Sequence, residues 1–511
     1  MIAALTALAV AELIAGLVEK ATSPVLSVGE WVIEHVPPGV KDFAIRTFGA
    51  NDKPALVVGT LVGLLLFAVV IGILSARRRI VGIVGIAAFG AIGALTAITR
   101  PGATVVAILP SAVGAAVAIA VFLWLLRPVA APGTRRGPHA PVTNDRGEPA
   151  DPSGVVGFDR RHFVVTAVGV GVAAVVVGGA GRLLQRRFDV NGVRDALSLP
   201  APASAAPPLP PGVDLGIPGV APFVTKNADF YRVDTALVVP QLSPDTWELK
   251  IHGMVDRELT LSYADLLSRN VVERDITMIC VSNEIGGPYA SHARWLGVPL
   301  KDLLEEVGVQ RGADQLVSRS SDGWSAGTPT AAVTDGRDAL VAFAMNGEPL
   351  PVEHGFPVRI VVPGLYGFTS ATKWLVDIEL TTMGAYDAYW VQRGWGKTAE
   401  IKTLTRIDTP RGLTNVAAGK VPIGGVAWAI HRGIKGVEVR IDDGPWQPAR
   451  LGAVPNADTW VQWAFDWDAT EGSHTITARA TDGTGAVQTE ARANPIPDGA
   501  SGWHQIVALV G

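Results

Sequence analysis

Four stretches of this chain carry no charged residue at all: Ala55–Ser75, Ile80–Thr99, Ala103–Leu126 and Phe163–Gly181. Each approaches or exceeds the ~20 apolar residues that span a bilayer as a helix. A soluble helix buried in a core is rarely this long and uncharged, and here the pattern recurs. Residues 1–18 are apolar apart from Thr6 and Glu12 and lack a positive leading segment, so they read as a first membrane helix rather than a secretory signal. Residues 25–53, with Glu30, Trp31, Glu34 and a Pro37-Pro38 pair, suit the membrane interface. Pro110 is expected to bend the third uncharged run. Arg77-Arg78-Arg79 falls between the second and third helices, and Arg127, Arg135 and Arg136 follow the fourth. If the helices alternate, both sets lie on one side, which the positive-inside rule makes cytoplasmic.

The rest of the chain is of another kind. Overall 48% of residues are hydrophobic and 18% charged, but the excess is concentrated in the first third. A formal net charge of −4 leaves no basic footprint for nucleic acid. Residues 188–222 form a linker whose proline-rich part, 198–222, reads as a semi-rigid spacer holding the next domain off the membrane. From 223 to 403, short apolar strands mix with an amphipathic helix at Leu300–Val307, an α+β pattern. From 404 to 511, alternating segments such as Val437–Ile441, Trp460–Phe465 and Thr475–Ala480 are separated by turns, which predicts a β-sandwich.

One cysteine, Cys280, occurs in 511 residues, so no intrachain disulfide can form. It follows the apolar run Asp275–Ile279 and precedes the polar turn Val281-Ser282-Asn283-Glu284-Ile285-Gly286-Gly287. A strand-to-loop junction can present a thiol to a cavity on a rigid backbone. The residues alone leave two readings open, a small buried core residue and a thiolate metal ligand. A lone cysteine cannot build a closed multi-cysteine zinc or iron–sulfur site.

That stretch, with Ala293–Leu300 after it, resembles the molybdenum-binding segment of the sulfite oxidase family of molybdopterin enzymes. A second segment carries the resemblance further: Met345–Arg359, continuing through Val362-Pro363-Gly364 to Lys373-Trp374-Leu375. The likeness spans roughly residues 222 to 511. It implies an α+β molybdopterin-binding domain over 223–403 and an immunoglobulin-like domain over 404–511. It also implies molybdenum with one pterin, with Cys280 as the metal ligand. His354, Arg359 and Lys373, with Ala371 and Thr372 beside the lysine, would contact the cofactor, and Asp322 matches a family acid near the pterin. Phe230, Tyr231 and Arg232 occupy the place of the family's F-x-x-R-N segment, with the arginine displaced. Asn283 and Arg294 would be catalytic neighbours of Cys280, and Trp395 stands near the place of the substrate-pocket tyrosine.

Two departures bear on substrate. Sulfite oxidases follow the asparagine with paired arginines, whereas here Asn283 precedes Glu284-Ile285. A carboxylate there would repel a dianion, and aromatic walls with few cations suit a neutral or organic molecule. Arg294 and Arg393 remain as sources of positive charge.

The catalytic resemblance also bears on Asp159-Arg160-Arg161-His162-Phe163, which opens the fifth apolar run over 159–187. Twin arginines before an apolar segment resemble a twin-arginine export signal, a route for folded, cofactor-loaded proteins. The apolar segment itself lacks an obvious A-x-A cleavage site, so it should stay as an anchor. Residues 1–126 are then membrane helices, 127–158 a cytoplasmic loop, and the catalytic domain extracytoplasmic on a multi-pass cell-membrane protein. The four uncharged runs contain no histidine and no C-x-x-C-H motif occurs, so no haem is expected. Electrons would pass to a separate protein or diffusible carrier, and the resemblance allows a homodimer through the C-terminal domain. Against an enzyme performing oxygen-atom transfer stand a sulfite dehydrogenase with a rearranged anion site and a cofactor-free binding protein reusing the fold.

Overall fold

In the computed structural model, which describes residues 1–18, 22–37, 40, 43, 47–48, 52–100, 103–126 and 160–511, the uncharged runs are helical. The loop expected over 127–158, with Asp159, lies outside the described residues. Of Arg160-Arg161, only its place at the start of a helix is described. The chain divides into two compact units, one of residues 1–189 with 236–238, the other of 190–235 with 239–511.

The first unit is built from helices α1 (Ile2–Val18), α2 (Pro24–His35), α3 (Asp52–Ser75), α4 (Arg79–Ile98), α5 (Leu109–Leu125) and α6 (Arg160–Gln185). Among the described residues, four segments are long and apolar enough to cross a membrane: Lys53–Ser75, Arg79–Ile98, Val105–Leu125 and Val164–Asp195. The expected first span, α1, has 17 residues, about 26 Å at 1.5 Å per residue, short of a ~30 Å hydrocarbon core. Glycines on the helices packed against it let the backbones come close: a Cβ on Gly181 of α6 would lie 2.6 Å from the Glu12 carbonyl carbon, and one on Gly114 of α5 2.6 Å from Ala7 O. Glu12 is buried there, accepting from Ser23 Oγ at 2.5 Å and Gln185 Nε2 at 2.8 Å. Pro110 corrects the expected bend. It sits in the first turn of α5, after a 3₁₀ turn at Val105–Ile108, where a missing N–H breaks no helical bond.

The proline-rich stretch, expected as a spacer, lies along the surface of the second unit with its backbone hydrogen-bonded to it. Glu273 N donates to Ser204 O, Ala203 N to Val271 O, and Leu215 N to Gln462 Oε1. Proline removes donors, but the remaining N–H and C=O groups still pair with an available strand edge.

Ten strands follow: β1 (Glu248–Gly253), β2 (Leu259–Ser262), β3 (Val272–Ile279), β4 (Ala290–Pro299), β5 (Gln315–Ser320), β6 (Ser325–Pro329), β7 (Leu340–Met345), β8 (Glu348–Pro349), β9 (Arg359–Val361) and β10 (Leu375–Thr381). One sheet runs β2-β1-β10-β5-β6. The other runs β3-β4-β7-β8, with β9 paired to β7. Helix α7 spans Leu300–Val307, as the periodicity predicts, and buries Leu300, Leu303, Leu304 and Val307 at i, i+3, i+4 and i+7. Those leucines pack with Leu249, Ile251 and Val341 in a core shared by both sheets. A second cluster, around Trp295, Phe230 and Phe356, underlies the candidate site.

The C-terminal region is β-rich, with β11 (Leu404–Thr409), β12 (Asn415–Val416), β13 (Gly419–Trp428), β14 (Ile434–Ile441), β15 (Gln447–Pro448), β16 (Arg450–Leu451), β17 (Val461–Ala469), β18 (Gly472–Asp482) and β19 (His504–Val510). Sheets β11-β13-β17-β16 and β12-β19-β18-β14-β15 share an apolar core that includes Ile423, Val437, Trp463 and Ile476. Val437–Ile441 lies on β14 and Thr475–Ala480 on β18, while Trp460–Phe465 falls on β17 from Val461 onward and is buried at consecutive positions rather than on alternate ones.

Candidate active site

Strand β3 delivers Cys280 to the head of a turn. Cys280 N donates to Tyr289 O at 3.0 Å, and Asn283 N returns to Cys280 O at 3.1 Å. Asn283 is buried, and its Oδ1 accepts from Tyr289 N at 2.8 Å, which closes the turn from within. Asn283 Nδ2 is buried with no protein partner. Cys280 Sγ lies 2.9 Å from Ser282 Oγ. Burial pushes the thiol's pKa up, and bonds from Ser282 draw it only part of the way back. Without a nearby cation it is a thiol at neutral pH.

On later segments of the chain, a group of cations gathers. Gly355 has φ +111°, and a Cβ there would stand 3.0 Å from Lys373 Cβ and 3.1 Å from Arg359 Cβ. Glycine at this position therefore lets the two basic residues sit side by side. Arg359 Nη1 donates to His354 O at 3.1 Å, and its guanidinium lies 5.1 Å from the Trp295 ring. Lys373 Nζ is paired with Asp234 Oδ2 at 2.7 Å and also reaches Glu353 O. Arg232 Nε is 2.8 Å from the same carboxylate. His354 Nε2 lies 3.1 Å from Asn227 O.

The electrostatics of this nest are unfavourable taken alone. Burial, then the neighbouring Arg359 and Lys373, pushes His354 down to about 3. Burial lowers Lys373 to about 8 against the pull of Asp234, and lowers Arg359 to about 10. Several basic groups share one carboxylate with little water, and an anion is what such a nest accommodates.

Aromatic residues join the two features. Phe230 is buried, stacks on Tyr231 at 5.4 Å between centroids and meets Trp295 and His354 edge-on at 5.7 and 5.5 Å. Tyr231 interacts electrostatically with both Cys280 and Arg359, and burial pushes its hydroxyl pKa up. Tyr231 and Tyr289 are 6.3 Å apart. Thr372 is buried with its hydroxyl 2.6 Å from Ser318 Oγ, and Ala371 lies 3.4 Å from where a Cβ of Gly367 would stand. Asp322 caps its own loop by accepting from Trp324 N, and Ser321 N donates to Trp374 O, which ties that loop to Lys373. Trp395 packs 5.7 Å from Phe368 and 6.2 Å from Trp390, against a core that holds Ile279 and Val281 on either side of Cys280.

Arg294 does not join them. It pairs with Asp275 across β3 and β4, Nε to Oδ1 at 3.0 Å and Nη2 to Oδ2 at 2.7 Å, and Nη2 also reaches Pro207 O. Asp275 lies five residues before Cys280, roughly 16 Å along an extended strand. The guanidinium is used up by a buried carboxylate. Arg393 is likewise engaged, stacked 3.6 Å from the Tyr389 ring centroid with Nη1 on Tyr389 O. Sequence reasoning missed Asp234, Asn227, Ser282 and Tyr289. Asp234 closes the segment Asp229–Asp234 that the resemblance singles out, but its pairing with Lys373, 139 residues away, has no local signal.

Comparison with known proteins meets this geometry. A family model described as the oxidoreductase molybdopterin binding domain matches residues 236–390. Human mitochondrial sulfite oxidase is 31% identical over 274 residues, 45% of this chain and 49% of that protein. YuiH of Bacillus subtilis (strain 168), described as an uncharacterized oxidoreductase, is 34% identical over 149 residues, 29% of this chain and 72% of that protein. The chain thus spans about half the length of the mammalian sulfite oxidases it matches. Among solved structures, the sulfane dehydrogenase SoxCD of Paracoccus pantotrophus shares the fold, with a TM-score of 0.50 and 23% identity over 56% of this chain and 82% of that one.

Proposed function

Because the chain belongs to the molybdopterin-binding oxidoreductases of the sulfite oxidase family, we propose that it is a membrane-anchored, extracytoplasmic enzyme of two-electron oxygen-atom transfer. Its substrate would be small and neutral or organic. The observation that carries the reading is the nest of His354, Arg359 and Lys373, with Phe230 packed between His354 and Tyr231 and with Tyr231 6.3 Å from Tyr289, whose carbonyl accepts from the backbone N–H of the single cysteine.

The residues fit the cofactor. His354, Arg359, Lys373 and Arg232 would hold an anionic phosphate tail, with Asp234 moderating their charge. Phe230, Tyr231, Ala371, Thr372 and the Asp322 loop would flank the pterin, and Cys280 would be the protein's metal ligand. Bound there, molybdenum supplies a centre that exchanges an oxygen atom and two electrons with substrate. The chain's own part is to position and to exclude water. Asn283 holds the turn after Cys280, and Trp395, Trp390 and Phe368 supply an apolar wall. Beside that wall the turn offers Glu284 and Ile285, and a carboxylate at this place opposes a dianionic substrate.

Identity to sulfite oxidases favours a second reading, a sulfite dehydrogenase whose anion site has been rebuilt. In either case electrons would pass to a separate partner. The C-terminal β-rich region would be immunoglobulin-like, and the Arg160-Arg161 pair would direct export of the folded enzyme. The test measures molybdenum per chain, then kcat/KM for sulfite and for a neutral sulfoxide with artificial electron carriers. Replacing Glu284 and Ile285 by arginine should raise activity toward sulfite about tenfold, the factor that ~1.4 kcal/mol gives. An unmodified enzyme that already prefers sulfite would decide for the second reading.

A further inference from the structure

The turn that follows Cys280 is held by the C-terminal β-rich region at three successive positions. At Ile285, Gly502 (φ +122°) packs so close that a Cβ on it would come within 2.9 Å of Ile285 Cδ1. At Gly286 (φ +77°), a Cβ would stand 2.2 Å from His504 Nε2 and 2.7 Å from its Cδ2, so the imidazole occupies the space of a side chain at 286. At Gly287, the carbonyl accepts from Arg406 Nη1 at 3.1 Å, and Arg406 is itself fixed by Asp408 at 2.5 Å.

His504 is the centre of this clamp and is well anchored. It opens β19, and its Nδ1 accepts from Ile407 N at 2.9 Å, so the neutral ring carries its proton on Nε2. Burial, then the nearby Arg406, pushes its pKa down to about 4, with Asp408 pulling the other way. The ring is therefore neutral over the physiological range. Elsewhere the C-terminal region pairs with the edge of β3 through backbone groups, as in Thr277 N donating to Asp458 O, which supports the strand. The contact with Gly286 differs because it bears on the segment that replaces the paired arginines of sulfite oxidases.

We propose that His504 is a positioning residue for the Ile285–Gly287 turn, and that through this turn the C-terminal region selects the substrate admitted beside Cys280. The inference rests on the proposed function only in taking that turn as a wall of the substrate pocket. His504→Asn keeps an acceptor for Ile407 N–H but removes the Nε2 side of the ring. In the full-length enzyme, amides 284–287 of this variant should exchange hydrogen about fivefold faster, with molybdenum content unchanged. The ratio of kcat/KM for sulfite to that for dimethyl sulfoxide should change about fivefold, chiefly through KM. A double-mutant cycle isolates the contact: Gly286→Ala should lower Tm in both backgrounds, because φ +77° strains any residue but glycine, and by more in the unmodified protein than in His504→Ala, where the clash with the ring is gone.

Unchanged exchange, or an additive cycle, would overturn the proposal. Faster exchange with both substrates affected equally would also overturn it, since His504 would then be a packing residue only. Absence of molybdenum from the unmodified protein would count against the proposed function, while exchange and the cycle would still decide the contact.

Discussion

Lys373 and Asp234 form an ion pair of 2.7 Å at the edge of the basic nest, each side chain at most one-tenth exposed. One carboxylate thus moderates a lysine whose other neighbours, Arg359 and Arg232, are like-charged. The nest is poised to bind an anion, and its strength depends on Lys373 keeping its proton.

Anion binding should therefore weaken with alkali. Lys373 is lowered to about 8, so cofactor-free protein should bind pyrophosphate less tightly as pH rises through about 8. Asp234→Asn removes the group that raises this pKa, and should move the midpoint to lower pH. Lys373→Met should weaken binding about tenfold or more at pH 7, the worth of a charge-assisted bond. Calorimetric titration at several pH values measures all three.

Cys280→Ser should abolish turnover while leaving most of the pterin in place, because the basic nest lies on other segments of the chain. Metal and pterin analysis alongside steady-state kinetics checks both halves. Turnover like that of the unmodified protein would mean that the thiolate is not the metal ligand.

Arg294→Ala should act on stability rather than on catalysis. Burial tends to raise the Asp275 pKa, but the neighbouring His292, with Nε2 3.7 Å away, and the two hydrogen bonds from Arg294 outweigh it and hold the carboxyl below its usual range. Removing the arginine leaves a buried carboxylate short of its main partner, at a cost of about 3–5 kcal/mol. A lowered Tm with KM unchanged in the surviving enzyme is the expected outcome. A selective rise in KM for sulfite would instead return Arg294 to the substrate site.

Cofactor-free protein should lose stability in mild acid. His354 and His504 titrate near 3 and 4 when folded, against an ordinary value of 6.5. Between those values the unfolded chain binds more protons, so stability falls as pH drops below about 6.5 and levels off only near the folded pKa values. Urea titrations between pH 7 and 5 should show this fall. His504→Asn should flatten it, by on the order of 1–2 kcal/mol across that range.

Much of this molecule was legible in the chain itself. Uncharged runs near twenty residues long can hardly be anything but helices, because nothing in them opposes burial on every side. Period-two alternation in 437–441 and 475–480 specified strands with one buried face, and the matched segments around Cys280 and His354–Lys373 pointed to the candidate site. What the tertiary structure alone decided were partnerships across long separations. Arg294 looked available until Asp275 across the strand claimed it, and the proline-rich stretch looked like a spacer until its backbone found the edge of β3. His504 acquires its place against Gly286 only when two regions more than two hundred residues apart are packed together. Local pattern reports which face of an element is apolar. It cannot report which of many chemically equivalent charges or backbone groups will be neighbours, since that depends on how the buried faces pack.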